Sequence, residues 1–356
     1  MAVWEDNFMG KVRREDWLAI GSQTPTRPND PIDALVGDDR SDNLVAKWEQ
    51  IAAEYQIPVM AEFHAFDSEA KTTFRVPIDT QSIEKGLIKV KINQSERLRA
   101  LDRSGVQGDQ ALYNSVMDDG IRLADQVITR TKIAKNEMLA TGKVTIKENN
   151  LDLSVDYHVP ANHLNLELDF SDDADTDIPS QIEAIVEQAS DEGITLNGII
   201  TSRKNVTKLR KNAEIQKLIN GSASEGALVG RSALDAFLEE EYGIGRIITT
   251  DLTYGVADGI DKNGRPKVKQ KRYFPDNKAS FFSANAGGKL GIGLWGNPPE
   301  VDLNDLLKVQ RSGRSPYVYI TQWAENDPAV LWTKASGLFM PVLYNPWSLF
   351  VATVKS

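Results

Sequence analysis

The sequence predicts an α+β protein in which a mixed α/β block is inserted into a second, β-rich layer. Three observations lead there. One amphipathic stretch, residues 108–141, is too long for a small compact domain. From 178 to 295 helical and strand-like segments alternate, and after 297 the pattern returns to β-branched and aromatic runs. With 356 residues, 41% of them apolar, the chain is long enough for two or three structural units.

Composition removes several classes of function. The absence of cysteine excludes a disulfide framework, thiolate zinc sites and cysteine nucleophiles. No apolar run approaches the ~18 residues of a membrane span. The opening Met1-Ala2-Val3-Trp4-Glu5-Asp6 lacks a basic region followed by an apolar one, so no signal peptide is expected. Lys and Arg number 41 against 51 Asp and Glu, a net charge of -10. Such a surface repels phosphate, so a dedicated DNA-wrapping protein is not expected, although a local basic patch stays open.

Taken in order, residues 1–50 are polar and weakly periodic. Three prolines, Pro25, Pro28 and Pro31, punctuate seven positions and forbid regular helix or central strand. An extended arm with at most one short helix, around 43–55, is expected. It is either ordered by a partner or a frayed terminus. Residues 57–100 are strand-like. Ile88, Val90 and Ile92 alternate with Lys89 and Lys91, residues 72–76 repeat the pattern more weakly, and 79–86 reads as a polar connection. The result is a two-stranded excursion with a cationic face, too small to be stable alone, so it is expected to lie on something else.

The long stretch 108–141 carries Leu112, Val116, Leu123, Val127, Ala134 and Met138 on one stripe. Gly142 is a helix stop, and at 1.5 Å per residue the helix would be about 50 Å long. A hairpin around Glu148-Asn149-Asn150 should follow. Further on, helices are expected over 178–192, capped by Asp177, and over 204–219 and 232–241. Strands are expected over 196–201, 246–250, 281–282 and 291–295, with a hairpin turned by 258–264. The last strands, 317–320, 330–333, 338–343 and 349–354, should return to cover the long helix, whose core is otherwise incomplete.

Candidate chemistry is sparse. Gly291-Ile292-Gly293-Leu294-Trp295-Gly296 matches a dinucleotide-binding pattern, but Asn297-Pro298-Pro299 follows where a helix must begin. Turns and strand ends are the ordinary use of such glycines. Asp173-Ala174-Asp175-Thr176-Asp177 opens like a calcium loop and then lacks its glycine and glutamate. His64, His158 and His163 have no zinc spacing, and no G-x-S-x-G elbow exists for a serine nucleophile. No catalytic, cofactor-binding or metal-binding residue is assigned, and no cofactor is expected.

Several motifs in order resemble one family. They are Ile83-Glu84-Lys85-Gly86-Leu87-Ile88-Lys89-Val90-Lys91; the long helix ending at Gly142 with its hairpin; Arg272-Tyr273-Phe274-Pro275-Asp276-Asn277-Lys278 leading to Ala286-Gly287-Gly288-Lys289-Leu290-Gly291; and Asp327-Pro328-Ala329 with Ser336-Gly337-Leu338-Phe339-Met340-Pro341-Val342-Leu343-Tyr344-Asn345-Pro346-Trp347. From about residue 80 to the end, this order is similar to that of the lambda-like major capsid proteins of tailed bacteriophages, the phage major capsid protein E family.

The resemblance implies the fold named after phage Hong Kong 97. Its parts would be an N-terminal arm (1–56), an extended loop (57–104), a peripheral domain (105–156 and 296–356) with spine helix 108–141, and an axial domain (157–295). It implies a non-enzymatic protein that self-assembles as pentamers and hexamers into an icosahedral shell around double-stranded DNA, contacted without sequence specificity. The implied location is the virion, after assembly in the host cytoplasm, with no membrane involved. Scaffold, portal and decoration proteins would be further partners. Inter-subunit contacts are expected at Phe74, Arg75, Lys85, Lys89, Lys91, Arg97 and Arg99, against the alternative of a solvated strand face. Competing functions are a nucleotide- or DNA-processing enzyme on the 178–295 block, or another virion component such as a tail tube or adaptor.

Overall fold

The computed structural model describes residues 30–51, 60, 66, 78–94, 108–148, 150–171, 177–221, 227–260, 266–303, 308–311 and 315–355, and the core already draws on residues 32–36. Asp30 precedes a proline, a helix-start signal. Its carboxylate accepts the Ile32 N–H at 3.1 Å and opens a 3-10 turn, Pro31–Ala34. Strand β1 (Val36–Arg40) follows, and Ile32, Leu35 and Val36 are fully buried.

Strand β2 (Val45–Ile51) pairs antiparallel with β3 (Ile78–Glu84), from Val45 opposite Glu84 to Ile51 opposite Ile78. The short helix expected around 43–55 is thus a strand over 45–51, and most of the expected polar connection 79–86 is a strand too. Both segments have weak local preference, and pairing with a partner distant in sequence decides their conformation. Strand β4 (Gly86–Gln94) follows the expected alternation, with Ile88 and Val90 packed inward and Lys89 and Lys91 exposed. It is not part of a two-stranded excursion, however: it pairs with residues 331–339 of the same chain, whose sheet and core cover its apolar face. The weaker repeat at 72–76 lies outside the described residues.

Helix α1 spans Gly108–Thr141, as its stripe predicts. Gly142 stops it at φ 68°, donating its N–H to Met138 O at 2.9 Å. A side chain there would be strained, and its Cβ would stand 2.9 Å from Val159 Cγ2. Leu123, Val127, Ala134 and Met138 are buried as expected; the side chains of Leu112 and Val116 are outside the described set. The last turns depart from the sequence reading, because Thr131, Lys135 and Asn136 are buried as well. That end of the helix is enclosed nearly all round. Strands β5 (Lys143–Glu148) and β6 (Leu151–Asp156) form the expected hairpin, with Asn150 at φ 65°.

The inserted block begins with α2 (Ala161–Leu164), β7 (Leu166–Asp169) and α3 (Ile178–Asp191), whose cap Asp177 accepts the Ser180 N–H. It continues through β8 (Gly198–Thr201), α4 (Arg203–Lys211), α5 (Ala213–Asn220), α6 (Arg231–Tyr242) and β9 (Arg246–Thr249). The single helix expected over 204–219 is two. Asn212 leaves helical geometry at ψ 131° and its side chain caps α5 through the Ile215 N–H at 3.1 Å, a role asparagine fills better than most residues. The hairpin β10 (Thr253–Ile260) and β11 (Pro266–Arg272) comes next, then β12 (Lys278–Phe282) and β13 (Gly291–Gly296). The chain closes with β14 (Lys308–Arg311), β15 (Tyr319–Asn326), β16 (Ala329–Leu343) and β17 (Leu349–Lys355). The two strands expected over 330–333 and 338–343 are one. Ser336-Gly337 does not break it, because a Cβ at Gly337 would meet Trp295 at 3.0 Å and Val127 of α1 at 3.2 Å.

Two sheets organise the whole. A six-stranded sheet runs β1-β13-β16-β15-β14, with β4 also on β16; a five-stranded sheet runs β7-β17-β12-β8-β9. Helix α1 lies against both. Val127 and Met138 share a core with Ala335 and Phe339 of β16 and with Leu349 and Val351 of β17. The opposite face of β17 (Phe350, Ala352, Val354) joins Phe281 of β12 and the buried faces of α3 and α6 in a second core. The final strands therefore do return to the helix, but β17 does so from within the five-stranded sheet. Conversely β13, at the close of the inserted block, belongs to the six-stranded one.

Candidate functional site

The expected contact residues separate sharply. Lys85 is only 3% exposed. Its ammonium donates to the carbonyls of Ser41 and of Trp295, the latter at 3.4 Å. Burial lowers its pKa, against the opposing pull of Asp42. Lys85 thus ties its own chain together, which leaves Lys89 and Lys91 as the exposed candidates on β4. Phe74, Arg75, Arg97 and Arg99 lie outside the described residues.

Lys89 and Lys91 project from the face of the six-stranded sheet turned away from α1. Antiparallel register places Lys91 opposite Lys334 and diagonal to Trp332, with Trp332 directly opposite Trp323. The two indoles stack at 6.0 Å and 13°. Lys91 Nζ stands 4.2 Å from the Trp332 ring and Lys334 Nζ 5.8 Å from Trp323, both within range of a cation–π attraction. Lys334 is also paired with Glu300 at 2.6 Å. This is a firm, partly aromatic platform with a cationic margin.

A second cluster was not legible from periodicity. Lys135 Nζ lies 3.1 Å from Asp33 and 3.0 Å from Asp38, and Lys132 pairs with Asp33 at 3.3 Å. Asn136 donates to Asp30 at 2.8 Å, and Trp295 Nε1 donates to Asp38 at 2.9 Å. Burial raises the Asp30 carboxyl pKa, opposed by its hydrogen bonds from Asn136 and Ile32. The 30–40 segment, read from sequence as part of an extended arm, is therefore clamped along the C-terminal turns of α1. The Asp30-Pro31 start signal was the one clue that this stretch had structure of its own.

A cavity of about 350 Å³ opens between β4, α1, β5 and β16, walled by Ile88, Ala134, Val144, Ile146 and Phe339. Arg130 and Glu148, 3.3 Å apart, close one side. Its walls are mainly apolar, with Lys89, Arg130 and Glu148 as the charged residues of the lining.

The glycine pattern at 291–296 is strand β13, buried between β1 and β16. A Cβ at Gly291 would stand 2.2 Å from Val342 O, at Gly293 2.6 Å from Asp38 Oδ1 and at Gly296 2.7 Å from Leu338 Cδ2. These glycines permit close packing along the strand expected over 291–295, rather than only marking turns or strand ends. Among the described residues no group of three or more His, Asp or Glu could hold a metal ion, and no helix is long and apolar enough to cross a membrane. His163 is fully buried, stacked on Phe350 at 3.7 Å and bonded to Glu192 at 2.6 Å, a structural histidine.

Comparison with known proteins is informative at this point. The sequence profile described as phage major capsid protein E matches residues 50–354. Comparison with curated protein sequences gives no match. Among solved structures, a provisionally assigned prophage capsid protein of Escherichia coli CFT073 is similar at TM-score 0.50 and 16% identity, covering 78% of this chain and 80% of its own. A phage-related protein from Bordetella bronchiseptica RB50 is similar at TM-score 0.53 and 10% identity, covering 94% of this chain and 95% of its own. At such identities the structures speak to the fold alone.

Proposed function

This chain belongs to the phage major capsid protein E family, and on that premise we propose how it builds a shell. It is a capsid-forming structural protein of a tailed phage with the Hong Kong 97-type fold. It associates with copies of itself, its place is the virion, and it is not an enzyme.

The proposal is that copies associate as pentamers and hexamers and close into an icosahedral shell around double-stranded DNA, assembled in the host cytoplasm. Residues 157–295 surround the centre of each ring, and 105–156 with 296–356 form the peripheral layer. The 57–104 segment, anchored on this chain's own sheet through β4, reaches a neighbour, with the exposed Lys89 and Lys91 at that contact. Scaffold, portal and decoration proteins are the further partners. DNA is held inside without sequence specificity, which an acidic chain with only local cationic surfaces suits. Many modest contacts repeated around a closed lattice sum to a stable particle while each stays weak enough to correct errors.

The observation that carries this is the family profile spanning residues 50–354. The full-length protein, expressed and examined by sedimentation and negative-stain electron microscopy, should yield megadalton closed particles. A small discrete species with a saturable nucleotide site would sink the proposal in favour of an enzyme, and rings or tubes in favour of another virion component.

A further inference from the structure

Among the described residues hairpin β10–β11 has no strand partner. Its strands pair only with each other, and a lone two-stranded ribbon is marginal in water. Both faces are open, with Val256 36%, Val268 68% and Ile260 72% exposed. Lys267, Lys269 and Lys271 recur every second residue and so share one face, exposed. Among the described residues none of the three forms an ion pair. Three like charges in a row repel one another, a cost that the hairpin's own fold does not offset.

A surface of opposite sign lies on the inserted helices. Glu239, Glu240 and Glu241 are exposed at the C-terminal end of α6, where the helix dipole disfavours negative charge. Glu183, Glu187 and Asp191 are exposed along one side of α3 at a spacing of four. The two helices adjoin, since the Tyr242 hydroxyl at the end of α6 donates to Pro179 O in the first turn of α3 at 3.4 Å. None of the six has an ion pair among the described residues. Hairpin and acidic surface are separated within one chain. Helices α3 and α6 cover the face of the five-stranded sheet opposite α1. The hairpin's root residue Tyr254 instead packs on Tyr273 at 5.2 Å and feels the charges of Arg130, Glu137 and Glu148 on the α1 side.

We propose that the cationic hairpin β10–β11 docks on the acidic α3–α6 surface of a second copy of this chain, repeating head to tail around a ring. A contact between two different surfaces of identical copies closes into a ring when the rotation allows. Opposite charges set its register, and the exposed Val256, Val268 and Ile260 gain burial. Those apolar side chains favour a protein partner over DNA, whose phosphates reward only the lysines. This rests on the shell-forming function proposed above and names one contact within it.

Two triple variants of the full chain test it: Lys267→Glu/Lys269→Glu/Lys271→Glu, and Glu239→Lys/Glu240→Lys/Glu241→Lys. All six side chains are exposed, and lysines suit the end of α6 better than glutamates, so both should fold, as circular dichroism will verify. Each variant alone should lose assembled mass roughly tenfold or more in sedimentation, because like charges then face each other. Joining all six changes in one chain should restore assembly, and an equimolar mixture of the two triple variants should restore even-membered rings. Either triple variant assembling like the parent overturns the proposal, and so does failure of both the sixfold variant and the mixture to recover. A hairpin-reversed chain that forms normal shells with less packaged DNA would assign the hairpin to nucleic acid instead. A parent chain that never assembles overturns the shell-forming function and this contact together.

Discussion

Lys135 sits 1% exposed near the end of α1, between Asp33 and Asp38. Removing one partner of a buried pair leaves the other charges without compensation, which is costlier than the pair's own net worth. Lys135→Met should therefore destabilise the unassembled subunit by about 3 kcal/mol, the low end of that range because both aspartates still reach water. Lys143→Met breaks a half-exposed pair with Asp156 and should cost about 1 kcal/mol or less; urea unfolding of the two variants side by side checks the contrast. His163 supplies a pH dependence. Burial lowers its pKa below the usual 6.5, outweighing the hydrogen bond that the ring donates to Glu192. The unfolded chain thus binds the proton more readily than the folded one. Stability is complete above about pH 6.5 and falls as pH drops from there through the lower folded value. His163→Phe, which keeps a ring against Phe350, should flatten that slope in unfolding measurements between pH 5 and 7.5. An unchanged slope would place the acid sensitivity elsewhere.

Elements show where local signals suffice and where they fail. Helix α1, its glycine stop and the β5–β6 hairpin follow from residues within a few turns of one another, and the structure has them at the expected places. Strands β2 and β3 do not, because what fixes them is pairing across a long separation. Strand β17 is the sharpest case. Its alternating residues serve two cores at once, Leu349 and Val351 on one side, Phe350, Ala352 and Val354 on the other. It lies between β7 and β12, so the inserted block cannot complete its sheet without the chain's end. Residues 157–295 expressed alone should lack cooperative unfolding and dispersed amide resonances. The same residues supplied with a linked β17 should recover both, and an independently folded 157–295 fragment would refute this dependence.

For the whole molecule, the charge of -10 hides an uneven distribution. Cations collect on the β10–β11 hairpin and on the outer face of β4 and β16, while carboxylates collect on α3 and α6. A net negative subunit stays soluble and resists indiscriminate association, yet opposed local patches give specific orientations a preference. Two cores, one on each face of the five-stranded sheet, draw on residues from 32 to 354 and share β17. The clamp joins residues 30–40 to the C-terminal turns of α1, and the last strand, β17, joins the inserted block.

The sequence by itself determined the α+β class, the long helix and its stop, the inserted block, the strand over 291–295 and, through motifs in order, the family. All of these are written in spacing, composition and glycine–proline punctuation, which act over short range. Only the tertiary structure decided that Lys85 is an internal tie, that Asp30 to Arg40 is core, that Lys135 and Asn136 are buried, and that β17 closes a sheet begun far earlier in the chain. Each of those depends on which distant segment covers a residue. Burial and pairing between remote positions leave no periodic trace in either segment alone.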